Sequence, residues 1–517
     1  MKLWELVLAG VGGLLAASSA WALHRWSLPQ QHVLVEAGGC RTPVTILNPP
    51  ESQIPLGSVV VFHGLAANSR LMLYLSTVLA RAGGRVYVPD LPGHGSNTDP
   101  FAFARAQHCA TATVEYLVRT GQADPNRTVL LGHSMGGAIA IRMADRDPAL
   151  ATIAISPAPL VAPRRMPSNL LIFSAGLDMA PLQREAQALA QAAGGERTGA
   201  DDFMAHRAFH LEIAPHATHT SLILSPRVAE QSANWINNSL FPLDRAALGL
   251  SSWDAGVWAY ATAQFHQDTR IPSTLGLIGL MLLFPLCAAI AGSIAGPRSD
   301  EPRAAPPRPL LALAEGSACS LLGVLLLALG VPLQFLRLHS GDYLASLLLI
   351  VGLLLLALNH AAARNQLASP FRAIAASGAL GLVTILAVGG WLNWQTTAGW
   401  LNAPRWLRFA EILPVAWLFC YAEEILLGPV GRGKRRALRF AVLLLLRAEL
   451  WLACAFAYYT IQSGQVLLLL LVIFLAIFSV LQRLAADALR RRTGAPAAAL
   501  FGAILAAWFI AAVFPLT

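Results

Sequence analysis

The chain has 517 residues, of which 56% are hydrophobic and only 13% charged. A soluble domain carries roughly 25% charged residues, so this composition excludes a wholly soluble protein. The formal charge is +9, but Lys and Arg fall mostly in short loops between apolar runs, with no basic stripe bearing interleaved aromatics. That distribution points to membrane topology and away from nucleic acid.

Residues 1–25 open the chain with one apolar segment, Leu6 to Ala22, preceded by Lys2. It reads as a transmembrane anchor or as an export signal, because Ala20-Trp21-Ala22 resembles a cleavage site. Either reading places the following part outside the cytoplasm.

Residues 26–241 read as α/β. Apolar strands are expected at 58–62, 85–89, 128–131, 152–155, 169–174 and 210–213. Helices are expected at 70–82, 103–120, 135–146, 182–193 and 225–237. Such alternation implies a mostly parallel sheet with helices on both faces. Cys40 and Cys109 lie in this part; whether they pair is left open by spacing alone. The other four of the six cysteines, Cys287, Cys319, Cys420 and Cys454, fall in apolar runs and read as packing residues. No Cys-x-x-Cys or Cys/His cluster suggests a metal.

Residues 242–271 form an aromatic-rich connector with Trp253, Trp258, Tyr260 and Phe265. Residues 272–517 hold eight apolar runs, near 272–294, 310–335, 343–360, 371–392, 406–428, 438–460, 464–483 and 496–516. A helix needs about 20 apolar residues to cross a bilayer. Basic residues gather in alternate loops: Arg298, Arg303 and Arg308, then Arg364 and Arg372, then Arg432 to Arg439, then Arg483 and Arg490 to Arg492. Basic loops stay cytoplasmic. The expectation is about nine spans, a cytoplasmic N-terminus, and the α/β part and C-terminus outside. This layout fits a bacterial inner membrane with the α/β part on its periplasmic face. Glu423 or Glu424 and Arg447 lie in neighbouring spans and suit an ion pair.

The chemistry is carried by Gly132-His133-Ser134-Met135-Gly136, between an expected strand and an expected helix. Glycines beside a serine permit a strained turn that presents its oxygen. Ser134 is the candidate nucleophile. Asp178 ends the strand at 170–174 and is the candidate orienting acid; Asp201 and Asp202 are alternatives in a polar loop. His219 opens the final helical region and is the candidate base, with His216 as its competitor. Phe62-His63-Gly64-Leu65 follows an earlier strand, so the Leu65 and Met135 N–H groups are candidates for an oxyanion hole. His63, Gly64 and His94 read as shapers of the site.

The order Ser134, Asp178, His219, with His63-Gly64 and Asp90-Leu91-Pro92-Gly93-His94-Gly95 upstream, resembles the α/β-hydrolase superfamily, nearest its monoacylglycerol-lipase and serine-aminopeptidase-like branch. The resemblance covers about 210 residues and leaves out the membrane half. The layout of a hydrolase on a many-span base is similar to GPI inositol deacylase. The resemblance implies an α/β-hydrolase fold and a serine esterase or lipase needing no cofactor. It implies an acyl ester, lipid-like given the bilayer, as substrate. A serine aminopeptidase-like peptidase is one alternative, and a transporter or lipid-handling protein with a regulatory hydrolase-like domain is another. The chain departs from the family in one respect. Only Pro157 to Ser168 separate two strands where relatives often insert a helical cap, so the membrane domain or the bilayer surface is expected to cover the site.

Overall fold

The computed structural model describes residues 2–50, 57–147, 149–160, 162–248, 268–296, 309–330, 335–367, 370–429 and 434–517. The expected aromatics Trp253, Trp258, Tyr260 and Phe265 lie outside these, as do Arg298, Arg303, Arg308 and Arg432. The chain divides into two compact units. One spans 19–274 and also takes in two short returns, 392–398 and 515–517. The other comprises 1–18, 275–391 and 399–514.

The first unit is built on an eight-stranded sheet. Its strands are β1 (Gln30–Ala37), β2 (Cys40–Leu47), β3 (Gly57–Phe62), β4 (Gly84–Pro89), β5 (Thr128–His133), β6 (Ala151–Ile155), β7 (Leu170–Ala175) and β8 (Phe209–Ala214). They lie in the order β1-β2-β4-β3-β5-β6-β7-β8. From β4 to β8 every pairing is parallel, while β1 and β2 are antiparallel additions at one edge. The β1–β2 hairpin is absent from the sequence reading. Its local signal is Gly38-Gly39, both at positive φ (57° and 73°), the conformation a tight hairpin turn demands.

Side chains alternate across the central strands and so build two cores. Val59, Val61, Val129, Leu131, Ile153 and Ile155 face α2 (Leu73–Arg81) and α7 (Pro226–Leu248). Val60, Phe62, Tyr87 and Leu130 pack instead with residues of α3 (Phe103–Arg119) and α4 (Met135–Arg146). Strands covered on both faces lose their polar alternation, which explains the continuous apolar runs of β3, β5 and β7. Two further helices, α5 (Ala180–Ala192) and α6 (Ala200–Met204), belong to the unit, as does the C-terminal end of α1 (Leu3–Trp26) from Ser19 on. A Cys40–Cys109 disulfide ties the start of β2 to α3. Between β6 and β7 no helix occurs among the described residues.

The other unit is helical. Among the described residues the helices after α7 are α8 (Arg270–Ala295), α9 (Pro309–Ala328), α10 (Gly341–Leu358), α11 (His360–Gln366), α12 (Phe371–Gln395) and α13 (Ala403–Leu427). They are followed by α14 (Lys434–Tyr459), α15 (Val466–Leu470), α16 (Val472–Thr493) and α17 (Ala495–Val513). Among the described residues, eight helices including α1 are long and apolar enough to cross a membrane, where nine spans were expected. The missing one is α13, a 25-residue helix that carries Arg405, Arg408, Glu411, Glu423 and Glu424. Its charges are partnered inside the unit. Arg447 bonds Glu423 at 2.7 Å, the ion pair the sequence suggested. Glu424 receives Arg439, Arg483 and Arg490 at 2.9, 2.7 and 2.5 Å.

That cluster corrects a second expectation. The apolar run at 464–483 was to end in a basic loop from Arg483, but α16 continues to Thr493 and holds Arg483 and Arg490 fully buried. Arg439 likewise sits within α14, not in a loop. Glu424 pairs with all three of these arginines and Asp487 with two of them, which offsets much of the cost of burying their charge.

Candidate active site

Parallel sheets place their ligands at the carboxyl ends of the strands, and the candidate residues gather there. Ser134 follows β5 directly, with φ 53° and ψ −119°. A non-glycine residue rarely adopts positive φ, so the neighbours must enforce this turn. They do so by contact: a Cβ on Gly132 would fall 2.1 Å from the Gly136 oxygen. A Cβ on Gly136 would fall 2.2 Å from the Phe62 oxygen. The two glycines therefore let α4 start against both β5 and β3. The Ser134 N–H donates to the Ile155 carbonyl at 2.8 Å, fixing the turn to β6.

Asp178 and His219 arrive on adjacent loops after β7 and β8. A Cβ on Gly176 would meet the Pro215 oxygen at 2.4 Å, so glycine lets these loops pack closely. The Leu177 N–H donates to the Ala217 carbonyl at 3.0 Å and joins them. Gln183 holds the Asp178 loop through the carbonyls of Gly176 and Asp178, at 2.9 and 3.0 Å.

The result is a linear relay of hydrogen bonds. His219 Nδ1–H donates to Asp178 Oδ2 at 2.8 Å. His219 Nε2 then accepts from Ser134 Oγ–H, also at 2.8 Å. The His219 and Asp178 side chains are only 8% and 2% exposed. Burial works to raise the Asp178 carboxyl, but the bond and charge of His219 and the Met179 N–H outweigh it. Its pKa therefore lies below the ordinary carboxylate value, and the group stays ionised beside the imidazole. A serine, an imidazole and a carboxylate so aligned can pass the hydroxyl proton to His219 as the oxygen attacks an electrophile.

The alternatives are placed elsewhere. Asp202 caps α6 and pairs with Arg207 at 3.0 Å. Asp201 and His216 are exposed.

Gly64 packs against the nucleophile: a Cβ there would lie 3.0 Å from Ser134 Cβ and 2.9 Å from His133 Nδ1. Neither the Leu65 nor the Met135 N–H has an acceptor among the described residues. His63 sits beneath, fully buried. Its Nε2 accepts the Leu91 N–H at 3.0 Å, so the proton is on Nδ1, which donates to the Gly64 carbonyl at 2.8 Å. Burial holds its pKa below the ordinary histidine value, and it remains a neutral strut. His94 packs between His63 and Phe101, tilted against the first ring and edge-on to the second, with ring centroids 4.9 and 5.1 Å away. Both histidines thus shape the loops around Gly64.

One residue at this site was not singled out from the sequence. His133 Nε2–H donates to the His219 carbonyl at 2.9 Å, holding that backbone in place. Burial, then the adjacent His219, pushes its pKa down to about 3, so it is neutral. Its signal is the histidine at the second position of the Gly132–Gly136 pattern, a position that reads as free in sequence. Among the described residues no group of three or more His, Cys, Asp or Glu side chains is arranged to hold a metal.

Comparison with known proteins bears on the fold of this part of the chain. Residues 59–266 match the model of the alpha/beta hydrolase family. Esterase YjfP of Escherichia coli (strain K12) is 30% identical over 108 residues, which is 19% of this chain and 43% of that protein. The chain thus spans under half the length of that curated relative. Among solved structures, an α/β serine hydrolase without lid from Xanthomonas campestris is 14% identical, covering 44% of this chain and 99% of that one at a TM-score of 0.33. An esterase of Pyrococcus furiosus is 13% identical, covering 42% and 94% at a TM-score of 0.33. The part of the chain that carries Ser134 has the alpha/beta hydrolase fold.

Proposed function

We propose that this protein is a membrane-embedded serine hydrolase that cleaves carboxylic acyl esters of a lipid-like substrate. The observation that carries the reading is the pair of 2.8 Å bonds linking Ser134, His219 and Asp178 at a strained turn. Ser134 Oγ attacks the acyl carbonyl while its proton passes to His219 Nε2. The Leu65 and Met135 N–H groups receive the negative oxygen of the tetrahedral intermediate. On its collapse the alcohol departs with the proton from His219, leaving an acyl group on Ser134. Water, deprotonated by the same imidazole, then releases the acid and restores the serine. Asp178 keeps its negative charge throughout and stabilises the imidazolium.

An ester substrate fits the printed name of the curated relative, an esterase. A lipid-like one fits the apolar helices and the absence of any helix between β6 and β7 among the described residues. That absence leaves the aminopeptidase alternative without a cap on which to bind a substrate amine. The Cys40–Cys109 disulfide supports an oxidising, extracytoplasmic location for this unit. Basic residues near the start of α14 and the end of α16 support the same orientation. Nine crossings remain compatible with it if α13 crosses with its charges turned to protein partners.

Fluorophosphonate labelling of the full-length protein in membranes tests the reading. Wild type is expected to label and Ser134→Ala to stay unlabelled, with acyl-ester hydrolysis lost in parallel. Absence of labelling in both, with the fold intact, overturns it.

A further inference from the structure

The turn that carries the Leu65 N–H runs from Gly64 to Ala67 and closes with the Ala67 N–H donating to the Gly64 carbonyl at 3.1 Å. Ala66 within it has φ 60°. A left-handed alanine is costly and persists only where its surroundings hold it. A nearby side chain, Asn68, is buried, 4% exposed, and both its amide oxygen and its amide nitrogen make hydrogen bonds. Its Oδ1 accepts from the Arg70 and Leu71 N–H groups at 3.1 and 3.2 Å. The same oxygen accepts from the Ala398 N–H at 3.2 Å, and Nδ2 donates to Thr397 Oγ1 at 3.1 Å. Two of these bonds are local; the other two come from a segment about 330 residues on.

That segment is the 392–398 return, and it is fastened at other points of the same unit. Gln395 Nε2 donates to Ser27 Oγ at 2.5 Å, and Ser273 and Thr396 share a hydroxyl hydrogen bond of 2.9 Å. Within the return, the Thr396 and Thr397 N–H groups both reach the Leu392 carbonyl, at 2.8 and 2.9 Å.

From this arrangement we infer that Asn68 is a positioning residue for the oxyanion turn, and that the 392–398 return sets the working geometry of the Ser134 site by gripping it. The inference rests on the function proposed above. If the return lets go, a buried amide loses two of its partners and its polar atoms are left unmet. The turn then relaxes, and the Leu65 N–H drifts from the developing oxyanion. Loss of one such donor costs about 10²–10³ in rate. The segment joining α12 and α13 thereby acts on catalysis without touching substrate.

The test uses full-length protein in membranes, a p-nitrophenyl acyl ester as substrate, and site concentration fixed by fluorophosphonate titration. Asn68→Ala is expected to lower kcat per titrated site by roughly 10–100-fold, with KM within twofold. Thr397→Val keeps shape but removes the hydroxyl, and is expected to lower kcat about 3–10-fold, one lost hydrogen bond. Thr397→Ser is expected to restore it. The pH profile is expected to stay put in all three. Unchanged kcat per site in Asn68→Ala and Thr397→Val overturns the inference. So does a loss confined to the fraction of titratable sites, which marks mere upkeep of the fold. A folded wild type that neither labels nor hydrolyses overturns instead the reading of Ser134 as nucleophile.

Discussion

The two units bury polar groups in opposite ways. In the α/β unit each buried polar side chain near Ser134 has few partners, many of them backbone: His63 binds Leu91 and Gly64, and His133 binds the His219 carbonyl. The histidines stay neutral, and Asp178 is the charge held against His219. In the helical unit, charge is kept and pooled. Glu424 serves three arginines, Asp487 two of them, and Glu423 a fourth. The comparison teaches what each arrangement is good for. Single, directional bonds fix atoms at one place for proton transfer. A shared carboxylate ties together α13, α14 and α16, whose apolar surfaces by themselves offer little directional preference.

The largest effect that would sharpen this contrast lies at the relay. Asp178→Asn should leave the fold intact yet lower kcat by about 10⁴-fold, because the amide no longer holds His219 in its working tautomer. Steady-state hydrolysis with a thermal-unfolding control checks it, and a change below tenfold would remove Asp178 from the relay. Next comes Glu424→Gln, which leaves three guanidinium groups facing a neutral amide. Breaking a buried pair costs about 3–5 kcal/mol. Poor yield of monodisperse protein and a lowered unfolding temperature are expected, and a variant as stable as wild type would show that the cluster holds nothing together. Replacing Cys40 and Cys109 together by Ala should cost about 2–4 kcal/mol of α/β-unit stability, as a long loop is freed in the unfolded chain. Differential scanning with and without reductant reads that loss, and reductant should have no further effect on the double variant.

The smallest effect is one of pH. The His133 pKa is depressed from 6.5 to about 3 when folded. The unfolded chain therefore binds more protons between these values, and the stability contributed by neutral His133 is complete above pH 6.5 and lost as pH falls toward 3. Asp178, also depressed, contributes above its ordinary 3.8 and loses that only as pH falls further. Unfolding temperature should thus begin to fall below pH 6.5, and His133→Asn should flatten that part of the curve. An identical slope in the variant would assign the loss to His63 and other groups.

Much of the site was legible because it is encoded locally. The Gly132–Gly136 pattern follows an apolar strand and precedes a small-residue helix, and the structure needs glycine at both ends for close backbone approach. Asp178 and His219 were found by position after strands. The β1–β2 hairpin is harder to read, although Gly38-Gly39 marks it, because antiparallel edge strands fall outside the strand–helix alternation of an α/β chain. The helix boundaries near Arg483 were misjudged for another reason. An arginine in an apolar run reads as its end unless its carboxylate is known, and Glu424 lies 59 positions earlier.

The class of the sheet, the strained serine turn, the order of its partners and the apolar character of the second half are all written in the chain's local pattern. These depend on backbone sterics and on periods of two or a few residues, which neighbouring positions carry. Which buried charges meet, the pairing of Cys40 with Cys109, and the hold of Thr397 and Ala398 on Asn68 come from the packing of distant segments. Such contacts arise when helices and strands pack, and the hydrogen-bonding capacity of one side chain contains no record of which distant segment will satisfy it.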